Sequence, residues 1–312
     1  MNIVFFGSSR FACPSLKALI EARYNIPLVV TQPDKNKGRG LKLGSTQIKE
    51  LSEQARLKVF QPGDINSPES IDILKKHNPD LFVIIAYGQK FSQEVLNIPL
   101  IMPVNVHASL LPKYRGAAPI NWTIMNGDRL TGNTIMKVVP RMDAGPIILQ
   151  SQVTISPDDD ALTLEEKLSE DSAILLIKAI NFIESRKVNL IPQDESFSSM
   201  APKLDAKIAK INWNHPAENI HNLVRGCLNW SAAFTTYNGK ILKIYKTRVG
   251  STFSGPGEII PGQILAVSED GIIVSTGTGS LYLQELQLEG KIRLSVQEFL
   301  CGNKIQPGEK LE

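Results

Sequence analysis

MNIVFFGSSRFACPSLKALIEARYNIPLVVT (residues 1–31) runs from an apolar stretch through an amphipathic one to a second apolar stretch, and that order decides the fold. Residues 2–7 show no polar–apolar alternation, as expected of a strand buried on both faces. Residues 12–23 put Leu16, Leu19 and Ile20 on one helical face, and residues 26–31 form a second strand. The rhythm continues with a helix over 46–56, a short strand at 58–61 and a helix over 68–77. A strongly apolar strand at 80–86 and another at 102–107 complete it. Alternating β and α segments predict a parallel, Rossmann-like α/β sheet covered on both faces, with ligands bound at the carboxyl ends of its strands. Thr163-Leu-Glu-Glu166 reads as a capping box opening a helix that runs to about residue 185.

Beyond residue 187 the pattern changes. Residues 188–206 are polar, hold Pro192 and Pro202, and lack periodicity, which reads as a linker. A helix is expected over 217–227, then strands at 234–237, 240–247, 262–267, 272–275 and 281–286. Asn238-Gly239 is a two-residue hairpin turn, because both residues tolerate positive φ. So many short strands in a small space predict a small OB-like β-barrel. The expected organisation is an N-terminal domain at 1–187, a linker at 188–206 and a C-terminal domain at 207–312.

Composition narrows the function classes. The 312 residues are 42% hydrophobic and 21% charged, with a net charge of +3, so the chain buries a core and is not polybasic. No apolar run reaches the roughly 18 residues a membrane span needs, and no secretory signal opens the sequence. Cys13, Cys227 and Cys301 are odd in number and widely spaced, and the four histidines form no HExxH pair. A cytoplasmic protein without a bound metal is expected, and nothing requires more than a monomer. The first strand–helix turn, Gly7-Ser-Ser-Arg-Phe-Ala12, is not GxGxxG, and neither GxxxxGK[ST] nor GxSxG occurs.

The chemistry concentrates in NVHASLLPKYRGAAP (105–119). Asn105 and His107 lie two apart at the end of a strand, so their side chains share a face. An amide donor stabilises an oxyanion, and an imidazole moves a proton near neutral pH. The alternative is structural, with Asn105 capping a turn and His107 a hydrogen-bonded core residue.

That stretch, with VVTQPDKNKGRGLK (29–42), IIAYGQ (84–89), TGNTIMKVVPRMDAGPII (131–148), APKLDAKIAKINW (201–213) and VQEFLCGNKIQPGEKL (296–311), resembles the folate-dependent formyltransferases over nearly the whole chain. The tRNA-formylating members are the most similar. The resemblance implies transfer of the formyl group of 10-formyltetrahydrofolate to the α-amino group of methionine on initiator Met-tRNA, without a metal. By motif, Asn105 and His107 would be catalytic and Asp143 their third partner. Asn105 would donate to the oxyanion of the tetrahedral intermediate, and Asp143 would orient the imidazole. The turn Ser109, Leu110, Leu111 and Pro112 would help hold the folate, with 84–89 and 110–112 supplying an apolar wall.

In the family the loop at 35–49 meets the acceptor end of the tRNA. Here it carries Lys35, Lys37, Arg39, Lys42 and Lys49 with no acidic residue, and Arg39 and Lys42 are the expected contacts. Residues 203–248 hold eight Lys/Arg and two Asp/Glu, a net of +6, whereas 249–312 hold four and eight, a net of −4. The basic share interleaves with aromatics, as on surfaces that track phosphates. Several positions depart from the family pattern: Ser9-Arg10 replaces Pro-Asp, Arg141-Met142 and Ala144 flank Asp143 after Pro140, and Asn229 and Ser231 replace prolines. Two rival readings remain. One is a folate-dependent enzyme acting on a small amine, an amino sugar nucleotide or water. The other is a nucleic-acid-binding protein on an inactive scaffold.

Overall fold

The structure is a computed structural model and describes residues 1–37, 42–250 and 260–312. It divides into two compact units. The first holds Met1–Pro119, Leu130–Thr154 and Glu165–Ala201. The second holds Ile120–Arg129, Ile155–Leu164 and Pro202–Glu312.

In chain order the first unit contains β1 (Asn2–Gly7), α1 (Cys13–Glu21), β2 (Asn25–Val30), the hairpin β3 (Lys35–Lys37) and β4 (Lys42–Gly44), α2 (Gln47–Gln54) and β5 (Val59–Phe60). There follow α3 (Pro68–Lys76), β6 (Leu81–Ile85), α4 (Gln93–Leu96) and β7 (Met102–His107). After α5 (Pro119–Met125), nearly all of which belongs to the second unit, come β8 (Leu130–Lys137), β9 (Ile147–Thr154) and α6 (Ala161–Glu184), whose residues up to Leu164 are also counted with the second unit. The sheet order is β5-β2-β1-β6-β7-β8-β9. From β5 to β7 all pairings are parallel, whereas β8 and β9 join antiparallel. The expected parallel sheet is therefore a mixed one with an antiparallel edge. The chain leaves β1 toward β2 and β5 and returns to β6 on the other side of β1, which places a topological switch point between β1 and β6.

Ile3, Val4, Phe5 and Phe6 are all fully buried, so both faces of β1 are covered, as their unbroken apolar run requires. On one face Phe6 meets Phe82 edge-on at 4.8 Å within a cluster that includes Val30, Ile84 and Tyr87. Helix starts are set locally: Thr46, Ser67 and Ser92 each accept a hydrogen bond from a backbone N–H in the first turn of α2, α3 and α4. The start of α6 differs from expectation. Asp160, not Thr163, caps it, accepting from the N–H groups of Leu162 and Thr163 at 2.7 and 3.0 Å. An aspartate accepts these bonds with full charge, so the helix begins a turn earlier.

Residues 188–201 do not hang free. Ile191 pairs with Ile147 through both backbone bonds, Arg115 N–H donates to the Ser199 carbonyl, and Ala201 N–H donates to that of Arg115. This strap lies against the first unit. The contacts are between backbones far apart in sequence, which leave no periodic signal in a polar stretch.

The second unit contains α7 (Ala217–Cys227), β10 (Ala233–Tyr237), β11 (Lys240–Gly250), β12 (Ile264–Ser268), β13 (Gly271–Ser275), β14 (Ser280–Leu288), β15 (Leu294–Ser295) and α8 (Val296–Gly302). The strands form one antiparallel sheet in the order β10-β11-β14-β13-β12, with β15 on β14, the OB-like domain expected. Asn238 and Gly239 both have positive φ, 51° and 74°, as the hairpin turn demands. Trp213, Val224, Leu242, Leu283 and Phe299 lie in its core. Residues 120–129 belong here too, for Asn121 Nδ2 donates to the Gly226 carbonyl at 2.7 Å and to Asn229 Oδ1 at 2.6 Å.

Candidate active site

Strand β7 pairs with β6 on one side and β8 on the other and is buried along most of its length, so its side chains are fixed. Pro103, Asn105 and His107 share one face by the two-residue period. His107, 6% exposed, donates from Nε2 to the Tyr114 carbonyl at 2.9 Å. A carbonyl only accepts, so Nε2 carries the proton and Nδ1 is left to face Asp143 Oδ2 at 3.7 Å. Asn105 is half-buried, and among the described residues its amide has no hydrogen-bond partner.

Asp143 comes from the loop 138–146 between β8 and β9. Gly145 lets that loop close, because a Cβ there would lie 1.7 Å from the Lys137 carbonyl oxygen. Asp143 is in the left-handed region, φ 50°, and its Oδ2 accepts from Gly116 N–H at 2.9 Å. The structure thus brings His107 and Asp143 together, with Asn105 two residues back on the same strand face, and it adds Tyr114 as the immediate partner of His107 and Gly116 as that of Asp143.

The turn after His107 is braced from within. Ser109 Oγ donates to the Lys113 carbonyl at 2.7 Å, and its own carbonyl accepts from Thr134 Oγ1 at 2.6 Å. Gln150 Nε2 donates to the Leu111 carbonyl at 2.9 Å. Ser109 and Leu111 are buried, while Leu110 and Pro112 are half-buried. The Ser109 hydroxyl is therefore committed to its own turn.

A cavity of about 390 Å³ opens beside β7 between α4 and the loop carrying Asp143. Leu96, Ile101, Pro103, Val138 and Val139 give it apolar walls, with Lys137 as its cation. Pro103 stands on the strand face of Asn105, about 7 Å away along the chain. Neither 84–89 nor 110–112 lines it. The lining residues were legible only as core-like apolar positions, since nothing in a sequence distinguishes a cavity wall from a packed interior.

At the switch point, Ser8 Oγ donates to the Tyr87 carbonyl and accepts from Gln32 N–H, both at 3.1 Å, tying together the ends of β1, β2 and β6. Beside it Ser9, one of the family departures, has a buried hydroxyl without a partner. Arg10 reaches Glu166 at 2.9 Å, but both are exposed, so the pair adds little stability. Among the described residues no group of three or more His, Cys, Asp or Glu could hold a metal, and no helix is long and apolar enough to cross a membrane.

Of the basic loop, Arg39 lies outside the described residues, and Lys42 is placed only by its backbone in β4. Lys49 is not a free cation: it pairs with Asp34 at 2.6 Å, and Gln61 donates to the other oxygen of Asp34 at 2.7 Å. The hydrogen bond to Asp34 raises the Lys49 pKa. In the second unit Trp213 and Tyr237 are core residues. Tyr245 and Tyr282 instead lie under guanidinium groups, with Arg293 4.4 Å from the Tyr245 ring centre and Arg248 4.0 Å from that of Tyr282.

Two family models match, formyl transferase over residues 1–180 and the formyl transferase C-terminal domain over 203–304. The methionyl-tRNA formyltransferase of Acetivibrio thermocellus is 42% identical over 311 residues, covering 100% of this chain and 99% of its own. That of Geobacter metallireducens is also 42% identical, covering 100% and 98%. Among solved structures, HypX from Aquifex aeolicus in complex with tetrahydrofolic acid is 19% identical with a TM-score of 0.63, over 99% of this chain and 50% of that one. The sugar 3N-formyl transferase WlaRD is 20% identical with a TM-score of 0.68, over 94% and 99%. At such identities the two structures speak for the fold alone. The two family models and the full-length relatives together establish that the chain belongs to the formyl transferase family.

Proposed function

We propose that this chain transfers the formyl group of 10-formyltetrahydrofolate to the α-amino group of methionine on initiator Met-tRNA, giving the formylated tRNA used in translation initiation. The observation that carries the reading is identity of about 40% along the entire chain, both domains included, with relatives that bear this activity in their names.

The site chemistry supports it. A neutral amine attacking the formyl carbon makes a tetrahedral intermediate whose oxygen becomes negative. The Asn105 amide, without a protein partner, donates to that oxygen. The proton released by the amine must reach the departing folate nitrogen. His107 is the proton-handling group, with its ring held by Tyr114 and its Nδ1 facing Asp143. The cavity of about 390 Å³ has the size of a small-molecule site and offers both apolar walls and polar groups, and it takes the ring system of the folate while Lys137 faces the donor's polar parts. Ser109, Leu110, Leu111 and Pro112 hold that donor indirectly, by fixing the turn that carries His107 and Tyr114. Arg39 and Lys42 contact the acceptor end of the tRNA, and the basic face of β11 tracks its phosphates. The chain acts in the cytoplasm as a monomer.

The test is direct. The protein is incubated with 10-formyltetrahydrofolate and Met-tRNA, and formyl-methionine is measured after deacylation, with an amino sugar nucleotide and buffer alone as acceptor controls. Formyl-methionine from the initiator tRNA supports the reading. Formylation of the sugar alone, or release of formate alone, overturns it.

A further inference from the structure

We infer that the strap at 188–201 is a working part of the active site, with Gln193 and Arg115 as positioning residues for Asp143. This rests on the reading of Asp143 as a member of the catalytic set.

Gln193 Nε2 donates to two carbonyls of the same loop, Asp143 O at 2.8 Å and Gly145 O at 2.7 Å. Those two contacts pin the loop at the left-handed Asp143 itself and two residues beyond it, and so fix the direction of its side chain. The other end of the amide is held as firmly. Gln193 Oε1 accepts from Arg115 Nε at 3.0 Å and Nη2 at 2.7 Å. Arg115 is 3% exposed, and Glu195 on the strap takes two more of its donors at 3.0 and 3.1 Å. A buried guanidinium with all these donors bound has one available orientation, so the Gln193 amide cannot turn over without leaving donors unmet.

The same strap holds the opposite side of the pair. Tyr114 N–H donates to Ser199 Oγ at 2.9 Å, and the Tyr114 carbonyl is the acceptor for His107 Nε2. The strap therefore touches both the peptide that orients the imidazole and the loop that carries the carboxylate. Their 3.7 Å separation is set by a segment some fifty residues from Asp143 in sequence. Misplacement of a reacting group by about 1 Å costs on the order of 100-fold in rate. The strap controls a distance of that kind.

Gln193→Glu isolates the donor. It keeps an acceptor for Arg115 but turns a carboxylate toward two carbonyls. Gln193→Asn, shorter by one methylene and uncharged, tests the same contacts without adding charge. Each should lower kcat for Met-tRNA formylation about 10- to 100-fold while KM for either substrate moves less than about threefold. In an Asp143→Asn background Gln193→Glu should cost less than a further threefold, because both act through one group. A second readout does not use activity. Gly116 N–H is protected by Asp143 Oδ2, so its hydrogen exchange should speed up at least tenfold in Gln193→Glu and Gln193→Asn, as in Asp143→Ala. Unchanged Gly116 exchange in both folded variants, or kcat within threefold of the parent, overturns the inference. Failure of the parent to formylate Met-tRNA overturns the proposed function instead, and the exchange measurement still decides the role of the strap.

Discussion

Asp143 Oδ2 lies 3.7 Å from His107 Nδ1 but only 2.9 Å from Gly116 N–H, so the carboxylate is anchored by backbone while it faces the imidazole. At 3.7 Å the two make no direct hydrogen bond, and Nδ1 becomes an attractive partner for the carboxylate only when it takes up a proton. His107 keeps its orientation from the other nitrogen, through Tyr114. Each member of the pair thus has an anchor of its own.

From those separate anchors it follows that Asn105→Ala and His107→Ala should fold normally and lose activity. Asn105 forfeits no protein hydrogen bond when truncated, and His107 forfeits one to a carbonyl. Each should lower kcat about 100- to 1,000-fold. Circular dichroism and single-turnover formyl transfer check the two halves of the statement. Formylation near the parent rate in either variant would remove its catalytic role.

The cavity beside β7 gives an independent handle. Val138 lines it, and Val138→Phe would fill part of about 390 Å³ without touching Asn105 or His107. KM for the folate donor should rise at least about tenfold, while KM for Met-tRNA stays within threefold. Equal effects on both substrates would place the donor elsewhere.

Strands of the first sheet were legible because burial on both faces leaves continuous apolar runs, as in residues 2–7 and 81–85. The antiparallel pair β8 and β9 was less so. Within β8, Thr131, Asn133 and Thr134 are buried polar residues that break the apolar pattern, two of them making tertiary contacts such as Asn133 Nδ2 to the Leu168 carbonyl at 2.8 Å and Thr134 Oγ1 to the Ser109 carbonyl at 2.6 Å. Asn105, His107 and Asp143 were found through motif and strand parity. Gln193 was not, because its role lies in two carbonyls it reaches across the fold, and an exposed-looking Pro-Gln-Asp-Glu stretch carries no sign of that.

Gly116 is a position where a methyl group cannot be accommodated. Its φ is 125°, and a Cβ would sit 2.6 Å from the Ala201 carbonyl oxygen on the strap. Gly116→Ala should cost about 1–3 kcal/mol from backbone strain alone, and it should lower kcat by displacing the N–H that anchors Asp143. Gly63→Ala, with nothing within 4 Å and no positive φ, should change neither. Urea unfolding of the two variants makes the comparison.

His221 sets a pH dependence in the second unit. Burial first, then the Arg225 charge, pushes its pKa down, although Glu218 and Asp158 pull the other way. Its Nδ1 meets Thr247 Oγ1 at 2.9 Å. The folded protein therefore resists a proton that the unfolded chain takes up near its ordinary value of about 6.5. Stability from neutral His221 is complete above that value and is lost as pH falls through it toward the lower folded value. Between pH 7.5 and 5.5 the urea midpoint should fall in the parent and fall less in His221→Gln. His77, whose pKa burial also lowers, adds a slope of the same sign to both. Equal slopes in parent and variant would show that His221 titrates alike in the folded and unfolded states.

On the outer face of the second unit's sheet, Arg248 and Arg293 look equivalent, since each stacks on a tyrosine. Their charges are not equally available. Arg293 is paired with Glu285, donating from Nε at 2.7 Å, whereas Arg248 has no ion pair among the described residues. A phosphate binding this face would gain more from Arg248, whose charge is not already partly neutralised. Arg248→Ala should weaken tRNA binding and reduce the slope of log affinity against log salt by about one. Arg293→Ala should reduce it by less, and Arg293→Ala with Glu285→Gln should restore part of the loss by removing the carboxylate as well. Tyr282→Leu should weaken binding without changing the salt slope, because it removes a stacking surface and no charge. Binding isotherms between roughly 50 and 200 mM salt separate these outcomes. Identical slopes for the parent and Arg248→Ala would take this face out of the tRNA interface.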